Sequence, residues 1–452
     1  MNEAVKLFSV DFTGNIFTYA NSTLKYRNSS GVVQWSKPYT GDLIIKAMIC
    51  DASGSLYFAG EFTNFTFNSQ TFTSSGAEDA FFGKLNSSGT LVWSKTYNGP
   101  GTEIITDIAI GNSKLILSGN AGSGSVIEGT VFTENALFVA SYELTGTSTS
   151  FKKVKGAYSM EIESDNLGNV YLLSGLYETD SVNLGPAMEL YGCGSCMGSH
   201  FMAKLDHTGS GVWAMDMGTN YYGPFENMVV DGSGSIYLSD WQRYNGFIVR
   251  KFNNSGVEEW EQHIPGTYGS CNAMVVDHSD SLWLTGSSWM GDDGPNPFLW
   301  QFDDGGNVMV EIPESNSQSG NLVATDQMGG VYVAGNFADS AQFGSTVFTG
   351  NGFFLAKLNR SPSVVTSVSD IEHHDFKIFP NPAGKEITLK WWGMNGDVNL
   401  SIYNSLGVCS YKANLTESSN EFKLEVSFLS PGIYTSEIVS GKSRKTQKLI
   451  IQ

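Results

Sequence analysis

DASGSLYFAG (residues 51–60) and DQMGGVYVAG (residues 326–335) repeat one frame: Asp, two residues, Gly, two residues, an aromatic, two residues, Gly. An Asp side chain caps a tight turn and Gly takes positive φ without a Cβ clash, so the front half of the frame reads as a hairpin turn. The back half is apolar on both faces and reads as a strand packed between two neighbours. Five degraded copies extend the series. DFTGNIFTYA from Asp11 loses the last Gly, DNLGNVYLLSG from Asp165 gains a residue, and DGSGSIYLSD from Asp231 ends in Asp240. DHSDSLWLTG from Asp277 replaces the first Gly, and IGNSKLILSG from Ile110 keeps only the strand and Gly119.

A second unit follows each copy of the first: Phe, a short apolar run, Lys-Leu-Asn or a relative, then Gly five residues and Trp nine residues after the Lys. FFGKLNSSGTLVW (residues 81–93), FMAKLDHTGSGVW (201–213) and FIVRKFNNSGVEEW (247–260) show it best. Its Lys position falls at Tyr26, Lys84, Ser141, Lys204, Lys251, Gln301 and Lys357, seven positions spaced by about 55 residues. Seven repeats of short strands predict an all-β fold, a seven-bladed β-propeller over residues 1–360. The Trp fits a large filler between blades, so its loss at Ser150 and Val310 is expected to weaken those blades unless neighbours fill the space. The Trp-type strand occurs at Trp35, Trp93, Ser150, Trp213, Trp260 and Val310, six copies against seven of the other units. A seventh is expected immediately ahead of Met1, because ring closure borrows a terminal strand to complete a blade, and a signal peptide is expected before it; MNEAVKLFSVDFTGN itself has neither a basic n-region nor an apolar h-region, which reads as either a cytosolic protein or a missing beginning.

This alternation resembles the bacterial β-propeller repeat called SBBP over about residues 5–359, best in the second, fourth and seventh copies. The resemblance implies an extracellular or surface propeller and no particular catalytic activity.

Composition narrows the function classes. The 452 residues hold 51 glycines and 13% aromatics but only 16% charged residues, which suits short strands and tight turns and argues against long exposed helices. A formal charge of -19 repels phosphate backbones and anionic lipid, so nucleic acid is a poor partner. No apolar run approaches the roughly 18 residues of a spanning helix. Five cysteines are too few and too scattered for a disulfide scaffold.

After Asn359 the pattern stops. RSPSVVTSVSDIEHHD is polar and Ser-rich, and residues 361–375 read as a linker. From Phe376 to Gln452, FKIFPNPAGKEITLKW and the runs VNLSIYN, EFKLEVSF, GIYTSEIV and QKLIIQ have the length and alternation of sandwich strands. Phe379-Pro380-Asn381-Pro382, Ile402-Tyr403-Asn404-Ser405-Leu406-Gly407, Leu429-Ser430-Pro431-Gly432-Ile433-Tyr434 and Lys448-Leu449-Ile450-Ile451 resemble, in order, the type A sorting domain of type IX secretion cargo. The resemblance implies a small Ig-like β-sandwich recognised by the type IX machinery of a Gram-negative bacterium, and hence a protein secreted or held at the outer cell surface. Cys409 departs from the family, which often has a charged or apolar residue there.

Few residues invite a chemical role. Cys193 and Cys196 form a C-x-x-C that reads as a local disulfide, a reduced pair, or part of a metal or redox site for which only His200 is near in sequence. His373-His374 reads as solvated linker. The turns Asp292-Asp293-Gly294 and Asp303-Asp304-Gly305-Gly306-Asn307 lack the alternating ligands and distal Glu of an EF-hand and read as ordinary turns. Gly441-Lys442-Ser443 ends like a phosphate loop but lies between two strands, as a hairpin turn does. No catalytic motif and no cofactor site is found in the sequence. The expectation is a non-enzymatic exported scaffold binding a surface glycan or protein. The alternative is an exported polysaccharide-active enzyme using the propeller channel, which convergent ionisable groups in perturbed surroundings would support.

Overall fold

A computed structural model describes the chain apart from residues 1–4, 178–180, 186–187, 193–198, 219–226, 243–245, 265–267, 290–294, 314–317, 327–328, 338–339, 344–345, 350–351, 359–374, 393–397, 405–408, 416–420 and 441–442. Two compact units result, Met1–Ser361 and Pro362–Gln452. Every element of both among the described residues is a β-strand or a turn, so the chain is all-β, and no helix is long and apolar enough to cross a membrane. The linker reading of residues 361–375 falls almost wholly outside the described residues.

The first unit is a chain-ordered series of antiparallel sheets, blades 1 to 7, spanning residues 7–38, 40–97, 103–155, 157–218, 227–264, 268–313 and 318–358. Blades 1 to 6 each run through four main strands in sequence order, whereas blade 7 has three among the described residues. Each innermost strand touches that of the next blade, and Gln318–Thr325 touches Leu7–Val10, which closes the ring. The strand after each Asp turn is the apolar slab expected: Ile16–Ala20 and Val170–Leu176 are buried along their whole length. Between their second and third strands blades 3, 4 and 7 insert a hairpin of their own, and blade 2 pairs Gln70–Thr73 onto its second strand.

The repeated polar residues join blade to blade. Asp51 Oδ1 accepts the N–H groups of Ser53 and Ser55 at 2.9 and 3.0 Å, shaping the turn. Its Oδ2 accepts the Tyr57 hydroxyl at 3.0 Å and faces Lys84 Nζ at 3.4 Å. Lys84 and the Trp93 indole N–H both donate to Leu144 O, in the turn between the third and fourth strands of blade 3. The indole also lies flat on Gly146 of that turn, where a Cβ would stand 3.0 Å from the ring at φ +91. The same joint recurs where Trp35 meets Ser87 O and Gly89, Trp213 meets Asn254 O and Gly256, and Trp260 meets Asp304 O and Gly306. The Gly five residues after the Lys is thus a seat for the preceding blade's tryptophan. Trp is more than a filler, since its N–H is the cross-blade donor.

Departures from the repeat come in matched sets. Blade 3 has Ile110 for Asp, Ile116 for Tyr and Ser141 for Lys at once. A carboxylate left there without its donors would be costly, and replacing the set together avoids that cost. In blade 1 the phenol moves across the strand pair: Phe17 takes the Tyr position, and Tyr26, opposite it, donates to Asp11 Oδ2 at 3.4 Å. In blade 6 the Trp283 indole donates to Asp277 Oδ2 at 2.9 Å in place of a phenol. Where Ser150 replaces Trp, nothing lies within 4 Å of a Cβ on Gly209, and Lys152 Nζ donates to Gly209 O at 3.0 Å instead. The weakening expected at Ser150 is therefore offset in hydrogen bonding but not in packing, while the Val310 side chain lies outside the described residues. Refilling the seat by Ser150→Trp is expected to raise stability by about 1 kcal/mol, read from the denaturant midpoint.

The second unit packs a sheet of Asp375–Phe379, Glu386–Trp392 and Glu421–Glu425 on a sheet of Cys409–Leu415, Val398–Asn404, Gly432–Ser440 and Ser443–Ile451. Ile387, Leu389 and Trp391 from the first sheet meet Leu400, Ile402, Ile438 and Leu449 from the second in one core. Ser440 pairs with Ser443, so the strands flanking Gly441-Lys442 are antiparallel neighbours, and those two residues lie outside the described residues.

Candidate functional site

Two places carry chemistry beyond the joints. The first is the wall of the central axis. The innermost strands EIITDIAIG of blade 3 and AYSMEIES of blade 4 carry carboxylates among largely apolar neighbours, with Asp107, Glu161 and Glu163 all half-buried. A β-bulge in each strand, between Ile105 and Asp107 and between Ser159 and Glu161, sets Asp107 and Glu161 at equivalent positions. Each then reaches the innermost strand of the next blade: Ile162 N–H donates to Asp107 Oδ2 at 3.0 Å, and Met228 N–H donates to Glu161 Oε2. Burial pushes the Asp107 carboxyl up to about 6 against the pull of the Ile162 and Ile108 amides. Burial, then the charge of Asp107, pushes Glu163 up to about 8 and Glu161 well above the usual carboxylate range.

These carboxyls bind protons more tightly in the folded chain than in the unfolded one. Their contribution to stability is complete below the unfolded value near 4 and is lost as pH rises through about 6 to 8. The melting temperature is expected to be higher at pH 5.5 than at pH 8.5, and Glu161→Gln, which removes one of the repelling charges, to narrow the difference. Sequence reading passed over these residues. Their one signal was an ionisable group inside a strand-like run.

A second acid pair lies beneath the loops of blades 2 and 3. Asp79 and Glu103 are both fully buried, Ser75 N–H donates to Asp79 Oδ2 at 2.7 Å, and the Ser125 hydroxyl donates to Glu103 Oε1. Burial, and then the neighbouring Asp79, push the Glu103 carboxyl above its usual range.

The other place is the edge of the sandwich. Asn381, between Pro380 and Pro382, holds one edge of the last strand with both ends of its amide: its Nδ2 donates to Lys448 O at 2.6 Å and its Oδ1 accepts Ile450 N–H at 2.9 Å. Ala383 N–H donates to Ile450 O and Gln452 N–H to Ala383 O, continuing the clamp. Tyr434, opposite Leu449, donates its hydroxyl to Ser430 O at 2.9 Å, which fixes the turn that leads through Gly432 into its strand. Pro380, Asn381, Pro382, Tyr434 and Lys448 are thus brought to one region around the terminal strand. Gly407 lies outside the described residues.

Cys193, Cys196, His373, His374 and the turn at Asp292 also lie outside them. The turn at Asp303 is the seat for Trp260, and its Asp304 carboxylate pairs with Lys251. Among the described residues no three His, Cys, Asp or Glu side chains are placed to hold a metal ion.

Comparison with solved structures finds the chain similar to PorZ, a bacterial surface component of the type IX secretion system of Porphyromonas gingivalis. Identity is 12%, over 99% of this chain and 70% of that one, with a TM-score of 0.29. It is also similar to virginiamycin B lyase from Staphylococcus aureus (11%, 74% of this chain and 91% of that one, TM-score 0.42) and to a puromycin hydrolase (10%, 86% and 58%, 0.47). No curated protein sequence matches the chain. Residues 377–452 match the family described as the secretion system C-terminal sorting domain, so the sandwich is a sorting domain and the chain is one marked for secretion or the outer surface.

Proposed function

We propose that the protein is a type IX cargo whose propeller, built from SBBP-type repeats, is a rigid non-enzymatic scaffold that binds a surface glycan or protein. The observation that carries this reading is the use made of the recurring polar side chains. Asp, Tyr, Lys and Trp are spent on joints between blades, which leaves recognition to the parts that differ from blade to blade. Those parts are the inserted hairpins, and they expose Val126, Val131 and, at 66%, Tyr191. Exposed apolar and aromatic groups on rigid hairpins suit contact with sugar rings or with a protein surface. A screen of the intact chain against bacterial glycans and surface proteins tests this: a ligand should be found, and Tyr191→Ala should weaken its binding at least about tenfold.

The carboxyls Asp107, Glu161 and Glu163 favour a second reading, an enzyme acting on polysaccharide at the axis, because raised carboxyls are what general acid catalysis uses. Against it, Asp107 and Glu161 already accept backbone amides from the next blade. Sugar release from a polysaccharide panel, abolished by Glu163→Gln, would replace the scaffold reading with this one.

A further inference from the structure

The acid pair beneath blades 2 and 3 departs from the repeat on both sides of one joint. Asp79 lies opposite Phe62 and Glu103 opposite Ala121. The same registers make Ala136 and Ser199 the counterparts of Asp79 in blades 3 and 4, and Leu43 and Ala157 the counterparts of Glu103 in blades 2 and 4. Small or apolar residues thus fill both positions in the neighbouring blades. Where blade 3 gives up its turn Asp it gives up the Tyr and Lys partners as well, so that no charge is left unmatched. Here two carboxylates, both 0% exposed, stand within hydrogen-bond reach of each other. Among the described residues no Lys, Arg or His forms an ion pair with either. Glu103 Oε2 is buried with no hydrogen-bond donor. The Ser125 hydroxyl, also fully buried, has one proton for two acceptors, Glu103 Oε1 and Gly122 O. Two like charges side by side in the interior are unfavourable unless a positive charge joins them.

We infer that Asp79 and Glu103 bind one Ca²⁺ ion, which ties the loops of blades 2 and 3 together. The donor chemistry selects the ion. Every group at hand is an oxygen: two carboxylates, the Ser125 hydroxyl, and main-chain carbonyls of the glycine-rich segments 74–79, 98–103 and 122–125. Those segments pack backbone on backbone. A Cβ on Gly76 would collide with the Gly99 and Pro100 carbonyls, and one on Gly99 would stand 2.6 Å from Glu103 Oε1. Glycine at both positions permits the close approach. A set of oxygens without His or Cys favours a hard cation over zinc or copper. Ca²⁺ takes about six to eight oxygens in flexible geometry, carbonyls included, whereas Mg²⁺ demands a near-ideal octahedron and keeps its waters. With two carboxylates, the remaining coordination falls to the carbonyls and the hydroxyl. Ser125 leads directly into the hairpin of Val126–Ile127 and Thr130–Val131, so the ion also anchors that hairpin to the joint.

The test uses the full chain at pH 8, where Glu103, pushed up to about 7 by burial and then by Asp79, is ionised. After treatment with EDTA, about 1 mM Ca²⁺ should raise the melting temperature by about 5 °C. It should also slow amide exchange across residues 122–131 at least about tenfold. Glu103→Gln and Asp79→Asn each remove one of the two repelling charges. Both variants should therefore be at least as stable as the unaltered chain in EDTA, and both should lose the response to Ca²⁺. Glu161→Gln, in the axial group, should keep it. Absence of a Ca²⁺ response in the unaltered chain would mean that the two carboxyls share a proton instead, and it overturns the inference. An equal response in Glu103→Gln and Asp79→Asn would place the ion elsewhere and overturns it too.

Discussion

Asp51→Ala is expected to lower the stability of the propeller by about 3 to 5 kcal/mol, the cost of breaking a buried ion pair from one side. One carboxylate holds the Ser53 and Ser55 amides, the Ser53 and Tyr57 hydroxyls and Lys84, so its removal takes an acceptor from five donors, of which Tyr57 and Lys84 keep Leu144 O in the joint with blade 3. Asp51→Asn keeps an acceptor for the turn and should cost less. Asp216→Ala, which removes an exposed carboxylate that accepts the Gly218 amide, should cost no more than about 1 kcal/mol. Equilibrium unfolding in urea measures all three, and equal losses for Asp51→Ala and Asp216→Ala would show that the joint is not what holds the blades.

The same carboxylate sets the acid limit. Burial pushes the Asp51 carboxyl up, but the hydrogen bonds from Ser53, Ser55 and Tyr57 and the charge of Lys84 outweigh it and hold the group below its usual range. Its stabilisation is therefore present above the unfolded value near 4 and lost as pH falls through the folded one. Asp107 and Glu163 act in the opposite sense, losing their stabilisation as pH rises above about 4. The contributions of these groups should therefore peak together at about pH 4.

The repeat was legible because each of its positions has one physical job that few residue types can do. A turn cap must be a short carboxylate, a seat under an indole must be Gly, and a cross-blade donor must reach a carbonyl through apolar packing. Periodicity then turned seven imperfect copies into a series of seven antiparallel sheets among the described residues. The joints themselves were not legible. Trp93 and Leu144 lie 51 residues apart, and nothing local in the sequence says that the indole donates to a carbonyl in another blade. Asp107 and Glu161 were missed for a related reason: a bulge turns each toward the next blade, and an unaligned strand does not announce a bulge. In the sandwich, the Pro380-Asn381-Pro382 turn was read as a motif, whereas its role as a clamp on Lys448 and Ile450 depends on two segments nearly seventy residues apart.

That clamp makes the terminal strand the place to test sorting. Fused behind a signal peptide and a fluorescent passenger, residues 361–452 should carry the passenger to the surface of a bacterium with a working type IX system. Deleting residues 448–452 should hold it in the periplasm. The deletion removes Leu449 and Ile451 from the core and takes away both partners of Asn381, a loss of several kcal/mol from a domain too small to absorb it. Failure of export could then reflect unfolding alone, so the informative variant is Asn381→Ala. It leaves the core residues in place and costs about 1 to 3 kcal/mol, the price of two hydrogen bonds. Circular dichroism should show it folded. If the machinery reads the clamped terminal strand, export of the folded Asn381→Ala fusion should fall several-fold. Normal export of that variant would mean that the clamp only stabilises the sandwich. Retention of the unaltered fusion in the periplasm, while a known cargo of the same strain is exported, would overturn the type IX route for this protein.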